Sequence, residues 1–154
     1  MPEAGEMAPD FTLPCDGGAE ITLSALRPAP VVLYFYPRDD TSGCTREALD
    51  FTEHGEAFAA AGVVVVGVSK DSVAKHEKFK AKHGLGVVLA SDAESDVCER
   101  YGTWVEKQMY GKTHMGIERA TFLIDGEGRI ARVWLKVKVP GHVAEVLEAV
   151  RALS

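Results

Sequence analysis

Apolar positions fall along this chain in short runs separated by turn-forming residues, and the period of the runs changes as the chain proceeds. Val31 to Tyr36 is continuously apolar, with Pro37 behind it, which predicts a central strand buried on both faces. After the turn-rich Arg38 to Gly43, Ala48, Phe51 and Phe58 recur at helical spacing, predicting one helix from about Ser42 to Ala60, ended by Gly62. Val63 to Ser69 repeats the buried-strand pattern. Asp71 or Ser72 then caps a helix that carries Val73, His76 and Phe79 on one face as far as Gly84. A short strand over Val87 to Ala90 and a short helix over Asp92 to Tyr101 follow, and the polar stretch Thr103 to Glu118 reads as mostly loop.

Two further runs, Ala120 to Asp125 and Ile130 to Val137, flank Gly126-Glu127-Gly128-Arg129 and predict an antiparallel hairpin. Val143, Val146, Leu147, Val150 and Leu153 mark a closing helix with one apolar face. Near the amino terminus, Phe11 to Leu13 and Ile21 to Leu23 around Asp16-Gly17-Gly18 predict a small extra hairpin. Early β-α-β units followed by a hairpin and a helix give an α/β domain with a central mixed sheet flanked by helices, the logic of a thioredoxin-like fold. At 154 residues the whole chain, 1–154, makes one domain.

Composition narrows the function classes. A hydrophobic content of 46% supports a full core, and a formal charge of −6 argues against a basic face laid along nucleic acid. The apolar runs are far short of the ~20 residues of a membrane helix, and the acidic start Met1 to Met7 is unlike a signal peptide. A cytoplasmic location is therefore expected, with neither membrane nor nucleic acid as partner. Five scattered histidines and no cysteine pair at ligand spacing leave a metal site unsupported, and no cofactor is required. Lys70, Lys75, Lys78, Lys80 and Lys82 with His76 and His83 read as one solvated basic face.

Three cysteines, Cys15, Cys44 and Cys98, are too few and odd in number for a disulfide framework. Cys44 falls in the first turn of the helix after the central strand, where unpaired backbone N–H groups and the helix dipole favour an anionic sulfur. Thr41, three residues earlier, offers a hydroxyl to a substrate or serves as the helix N-cap. A dithiol oxidoreductase would need Cys-x-x-Cys at this corner, and Thr41-Ser42-Gly43-Cys44 lacks it.

Pro37, Thr41 and Cys44 stand in the spacing Pro-x-x-x-Thr-x-x-Cys, and the stretch Tyr34 to Ala48 resembles the active-site motif of peroxiredoxins. Ala8-Pro9-Asp10-Phe11, Val68-Ser69-Lys70-Asp71, Tyr101-Gly102, Met109 to Lys112 and Gly116 to Asp125 extend the resemblance over nearly the whole chain. It is closest to the bacterioferritin comigratory protein branch, the PrxQ type. The resemblance implies a thiol-dependent peroxidase acting on hydrogen peroxide and organic hydroperoxides, with Cys44 as the peroxidatic nucleophile and Thr41 and Arg119 as donors beside it. Pro37 and Gly43 would line the substrate pocket, and Glu47 would orient Arg119 by an ion pair.

Many members of that branch carry a resolving cysteine five residues after the peroxidatic one, where this chain has Leu49. Another subgroup places it in the next helix, near Phe79-Lys80, and no cysteine stands there either. Cys98 reads as a small buried hydrophobe, and Cys15, beside the Asp16-Gly17-Gly18 turn, as an exposed thiol; these two are the remaining resolving candidates. The default is a one-Cys cycle completed by thioredoxin, glutaredoxin or glutathione, in a monomer or weak homodimer. A peroxide sensor and a non-enzymatic partner-binding module of thioredoxin fold are the alternatives.

Overall fold

The structure, a computed structural model, describes residues 1–153. Strand β1 (Thr12–Pro14) pairs antiparallel with β2 (Glu20–Thr22) in the expected amino-terminal hairpin. The main sheet is built from β3 (Val31–Phe35), β4 (Val64–Ser69), β5 (Val88–Ser91), β8 (Ala120–Ile124) and β9 (Ile130–Leu135) in the order β5-β4-β3-β8-β9. Strands β3, β4 and β5 run parallel, β8 runs antiparallel to β3, and β9 runs antiparallel to β8 and so in the direction of β3. The central β3 is buried at every position, as a strand covered on both faces must be.

Alternate side chains of β3 feed two cores. Leu33 and Phe35 face a cluster with the amino-terminal hairpin, Phe122 and the single turn α4 (Val97–Arg100). Val32, Tyr34 and Tyr36 face the other cluster. It holds α1 (Ser42–Glu53), α2 (Gly55–Ala60), α3 (Val73–His83) and α5 (His142–Arg151). Cys15 and Cys98 belong to the first cluster and Cys44 to the second, so the sheet separates them.

Three expectations need correction. The helix expected over 42–60 is two: the His54 imidazole bonds the Asp50 carbonyl at 2.9 Å, and Gly55 begins α2. The stretch read as loop is a hairpin of β6 (Trp104–Met109) and β7 (Lys112–Ile117) forming its own sheet. Both of its strands are largely exposed, so no apolar alternation advertised them. Finally, His76 does not share the solvated basic face, because it is wholly buried. Among the described residues, no helix is long and apolar enough to cross a membrane.

Candidate active site

The site forms where the chain leaves β3. Ladder bonding continues one residue past the strand, with Tyr36 N–H donating to the Val68 carbonyl, and stops at Pro37, which has no N–H to give. Pro37 is half-buried there. The loop then turns through Asp40, whose φ of 60° is accessible to an aspartate. Its carboxylate is held by Lys82 and His83, each at 2.8 Å. The Thr41 carbonyl accepts the first bond of α1, from Thr45 N–H at 2.8 Å. Its hydroxyl donates to the Arg38 carbonyl at 2.9 Å rather than accepting from the helix, so Thr41 occupies the N-cap position without capping through its side chain.

Cys44 is the third residue of α1 and only 2% exposed. Arg119 reaches it because β8 runs antiparallel to β3 in the register Phe35 to Ala120. The residue entering β8 therefore lies beside the chain leaving β3. One guanidinium nitrogen, Nη2, donates to the Cys44 sulfur at 3.2 Å, and Nη1 donates to Glu47 Oε1 at 2.6 Å. Gly43 keeps the approach open, since a Cβ there would lie 3.3 Å from the same nitrogen.

Glu47 sits one turn beyond Cys44, with no exposed surface. Burial pushes its carboxyl up to about 7, against the opposing pull of the Arg119 charge. Its second oxygen, Oε2, has no hydrogen-bond partner, and neither does the buried Tyr34 hydroxyl. Tyr34 stacks on Phe51 at 4.6 Å and leans over Gly67 of β4. Cys44, Thr41, Arg119, Gly43, Glu47 and Pro37 thus all lie at one end of the sheet, on the segment leaving β3, on α1 or at the entry to β8.

The other thiols lie in the core on the opposite face of the sheet. Cys98 is fully buried, accepts nothing from Arg119, and has its thiol driven upward by burial and by Asp92. Cys15 is buried too, contrary to the exposure expected of it; its thiol donates to the Ala19 carbonyl at 3.4 Å. The sequence reading missed two neighbours of the loop, Asp39 and His76, whose rings and carboxylates meet across 37 residues of chain. Among the described residues, no group of three or more His, Cys, Asp or Glu side chains is placed to hold a metal ion.

Comparison with known proteins agrees with this geometry. The AhpC/TSA family model matches residues 4–133. A putative peroxiredoxin bcp of Coxiella burnetii is 54% identical over 94% of this chain and 96% of its own length. Peroxiredoxin Bcp of Bacillus subtilis is 49% identical over 99% of this chain and 97% of its own. A solved structure of the Xanthomonas campestris bacterioferritin comigratory protein superposes with a TM-score of 0.91 at 43% identity, covering 97% of this chain and 98% of that one. The chain belongs to the AhpC/TSA family, in the bacterioferritin comigratory protein (PrxQ-type) branch of the peroxiredoxins.

Proposed function

We propose that this peroxiredoxin, a thiol-dependent peroxidase, works through Cys44 in a one-Cys cycle on hydrogen peroxide and small organic hydroperoxides. The observation that carries the reading is the Arg119 guanidinium 3.2 Å from the Cys44 sulfur at the start of α1. The thiolate attacks one peroxide oxygen, an S–O bond forms as the O–O bond breaks, and the departing oxygen takes a proton to leave as water or alcohol. Charge grows on that oxygen in the transition state, and donors fixed beside the sulfur are already aimed at it. Arg119 supplies one, held in place by Glu47 at 2.6 Å. Thr41 would add a hydroxyl on releasing its bond to the Arg38 carbonyl, and Pro37 and Gly43 bound the space between.

Cys44 sulfenic acid is then attacked by an external thiol, releasing water and leaving a mixed disulfide that a second thiol reduces. Several features favour an external thiol. Leu49 and Lys80 stand where the branch carries its resolving cysteines, and Cys15 and Cys98 lie in the core on the other face of the sheet. A disulfide requires Cα atoms within about 7 Å and side chains turned toward each other, which packing on opposite faces of the sheet disfavours. Thioredoxin, glutaredoxin or glutathione in the cytoplasm serves as reductant, and the enzyme acts as a monomer or weak homodimer. The Xanthomonas campestris relative has been studied for alkyl peroxide reduction, which supports including organic hydroperoxides.

The test treats reduced protein with one equivalent of hydrogen peroxide, traps sulfenic acid, and maps all three cysteines by mass spectrometry. The adduct is expected on Cys44 alone; a Cys44 disulfide to Cys15 or Cys98 would replace the one-Cys cycle with an internal one. Cys44→Ser should abolish turnover with dithiothreitol and Cys98→Ser should not. Turnover surviving the first substitution would end the assignment.

A further inference from the structure

With Cys44 only 2% exposed, the thiol that completes the cycle cannot meet the sulfur until the loop ahead of α1 moves. Besides the exposed Asp40 contacts with Lys82 and His83, that loop is tied to the rest of the molecule by a buried polar cluster. Asp39 accepts from the Tyr36 hydroxyl at 2.5 Å on one oxygen and meets His76 Nδ1 at 2.6 Å on the other. Its own N–H donates to Asp71 Oδ2 at 2.7 Å. His76 projects from α3, and its second ring nitrogen, Nε2, lies 3.0 Å from the Ala90 carbonyl of β5.

This arrangement fixes the proton count. A backbone carbonyl can only accept, so Nε2 carries hydrogen. The Asp39 carboxylate already accepts from Tyr36, and at 2.6 Å its other oxygen requires a proton between itself and Nδ1. One hydrogen is thus shared between Nδ1 and Asp39, and the two side chains are 0% and 5% exposed. Tyr36 and Asp39 meet the ring from the β3 side, and β5 contributes the Ala90 carbonyl. Nearer the surface Asp40 makes a second, exposed tie to α3 through Lys82 and His83, across a cleft lined by Arg38, Asp71 and Phe79.

We infer that His76 is a positioning residue that latches the Cys44 loop to α3 through Asp39, and that opening this latch admits the reducing thiol. The inference rests on the proposed one-Cys cycle, in which peroxide attack uses the closed site and reduction needs the open one.

Single-turnover kinetics test it, measuring peroxide oxidation of Cys44 and then reduction of the sulfenic acid by dithiothreitol, normalised to thiolate concentration. The variants are chosen by geometry. His76→Asn keeps a donor toward Asp39, His76→Gln keeps only the donor toward Ala90, and Asp39→Asn removes the anion. Reduction should accelerate about tenfold or more in His76→Gln and Asp39→Asn but stay near wild type in His76→Asn, the scale expected from a lost charge-assisted hydrogen bond. Equal rates in variants that keep the wild-type near-ultraviolet circular dichroism would overturn the latch.

Amide exchange on reduced protein gives a reading that needs no activity. Protection of the Asp39 amide should be lower in His76→Gln than in wild type or His76→Asn, and equal protection in all three would refute the inference. Failure to form any Cys44 sulfenic acid would instead refute the peroxidase cycle and leave the amide result standing.

Discussion

Arg119 joins two groups that respond differently to its loss, and a double-mutant cycle separates them. Its partner Glu47 is fully buried, Arg119 is 15% exposed, and Glu47 Oε2 already lacks a hydrogen bond. Replacing Arg119 with Met takes the 2.6 Å donor from Oε1 as well, so neither carboxylate oxygen keeps a partner. Well above neutral pH the carboxylate must stay ionised, and breaking a buried pair costs about 3–5 kcal/mol. Below neutral pH the carboxyl takes up a proton, and the penalty shrinks to that of an unpartnered buried polar group, about 1–3 kcal/mol. Adding Glu47→Gln removes the charge and should recover most of the difference. Urea denaturation across pH measures the stability arm, and stopped-flow peroxide consumption measures the chemical one. Peroxide attack should fall about 10²–10³-fold in the single variant, the scale of losing one preorganised donor, and the double variant should not regain it. Stability lost equally at all pH, or peroxidase activity restored by the second substitution, would refute this division of labour.

Two further outcomes follow from the same contacts. In the folded protein Glu47 holds its proton up to about 7, whereas in the unfolded chain it releases it near 4.5, so the folded state binds more protons between these values. Wild-type stability should therefore fall as pH rises through that window, by on the order of 3 kcal/mol, and this slope should vanish in Glu47→Gln measured by urea titration. Gly67→Ala should destabilise by about 1–3 kcal/mol through overpacking. Its Cβ would stand 2.6 Å from the Tyr34 ring, which Phe51 prevents from retreating, and a thermal melt unchanged from wild type would count against that packing.

The strands of the main sheet could be read from the chain because burial on both faces leaves an uninterrupted apolar signature, as in Val31 to Phe35. The β6–β7 hairpin carried no such mark, since exposed strands such as Lys112–Ile117 have no reason to alternate. The break at His54 was invisible for another reason: it depends on an imidazole turning back to the Asp50 carbonyl, a choice the helical spacing of Phe51 and Phe58 conceals. Cys44 and Thr41 were legible through their spacing and family resemblance. The position of Glu47 one turn after Cys44 raised an ion pair with Arg119, and the two groups stand 2.6 Å apart. His76 was misread because its meaning resides in Asp39, far away in sequence, and a lysine-rich helix hid one buried face among solvated ones.

The sulfur and its guanidinium are 75 residues apart in sequence and meet only through the pairing of β3 with β8. Their encounter is thus among the non-local events of folding, which pay their loop-closure entropy before any contact rewards it. A chain that has formed β3, α1 and β4 but not yet laid β8 alongside carries a cysteine at a helix end with no cation beside it. Peroxide reactivity then rises only as the antiparallel half of the sheet closes, so the rate at which a refolding sample acquires it reports on completed topology rather than on helix content. During synthesis the nucleophile emerges from the ribosome well before the arginine, and for that interval the nascent thiol is spared the full reactivity of the finished enzyme.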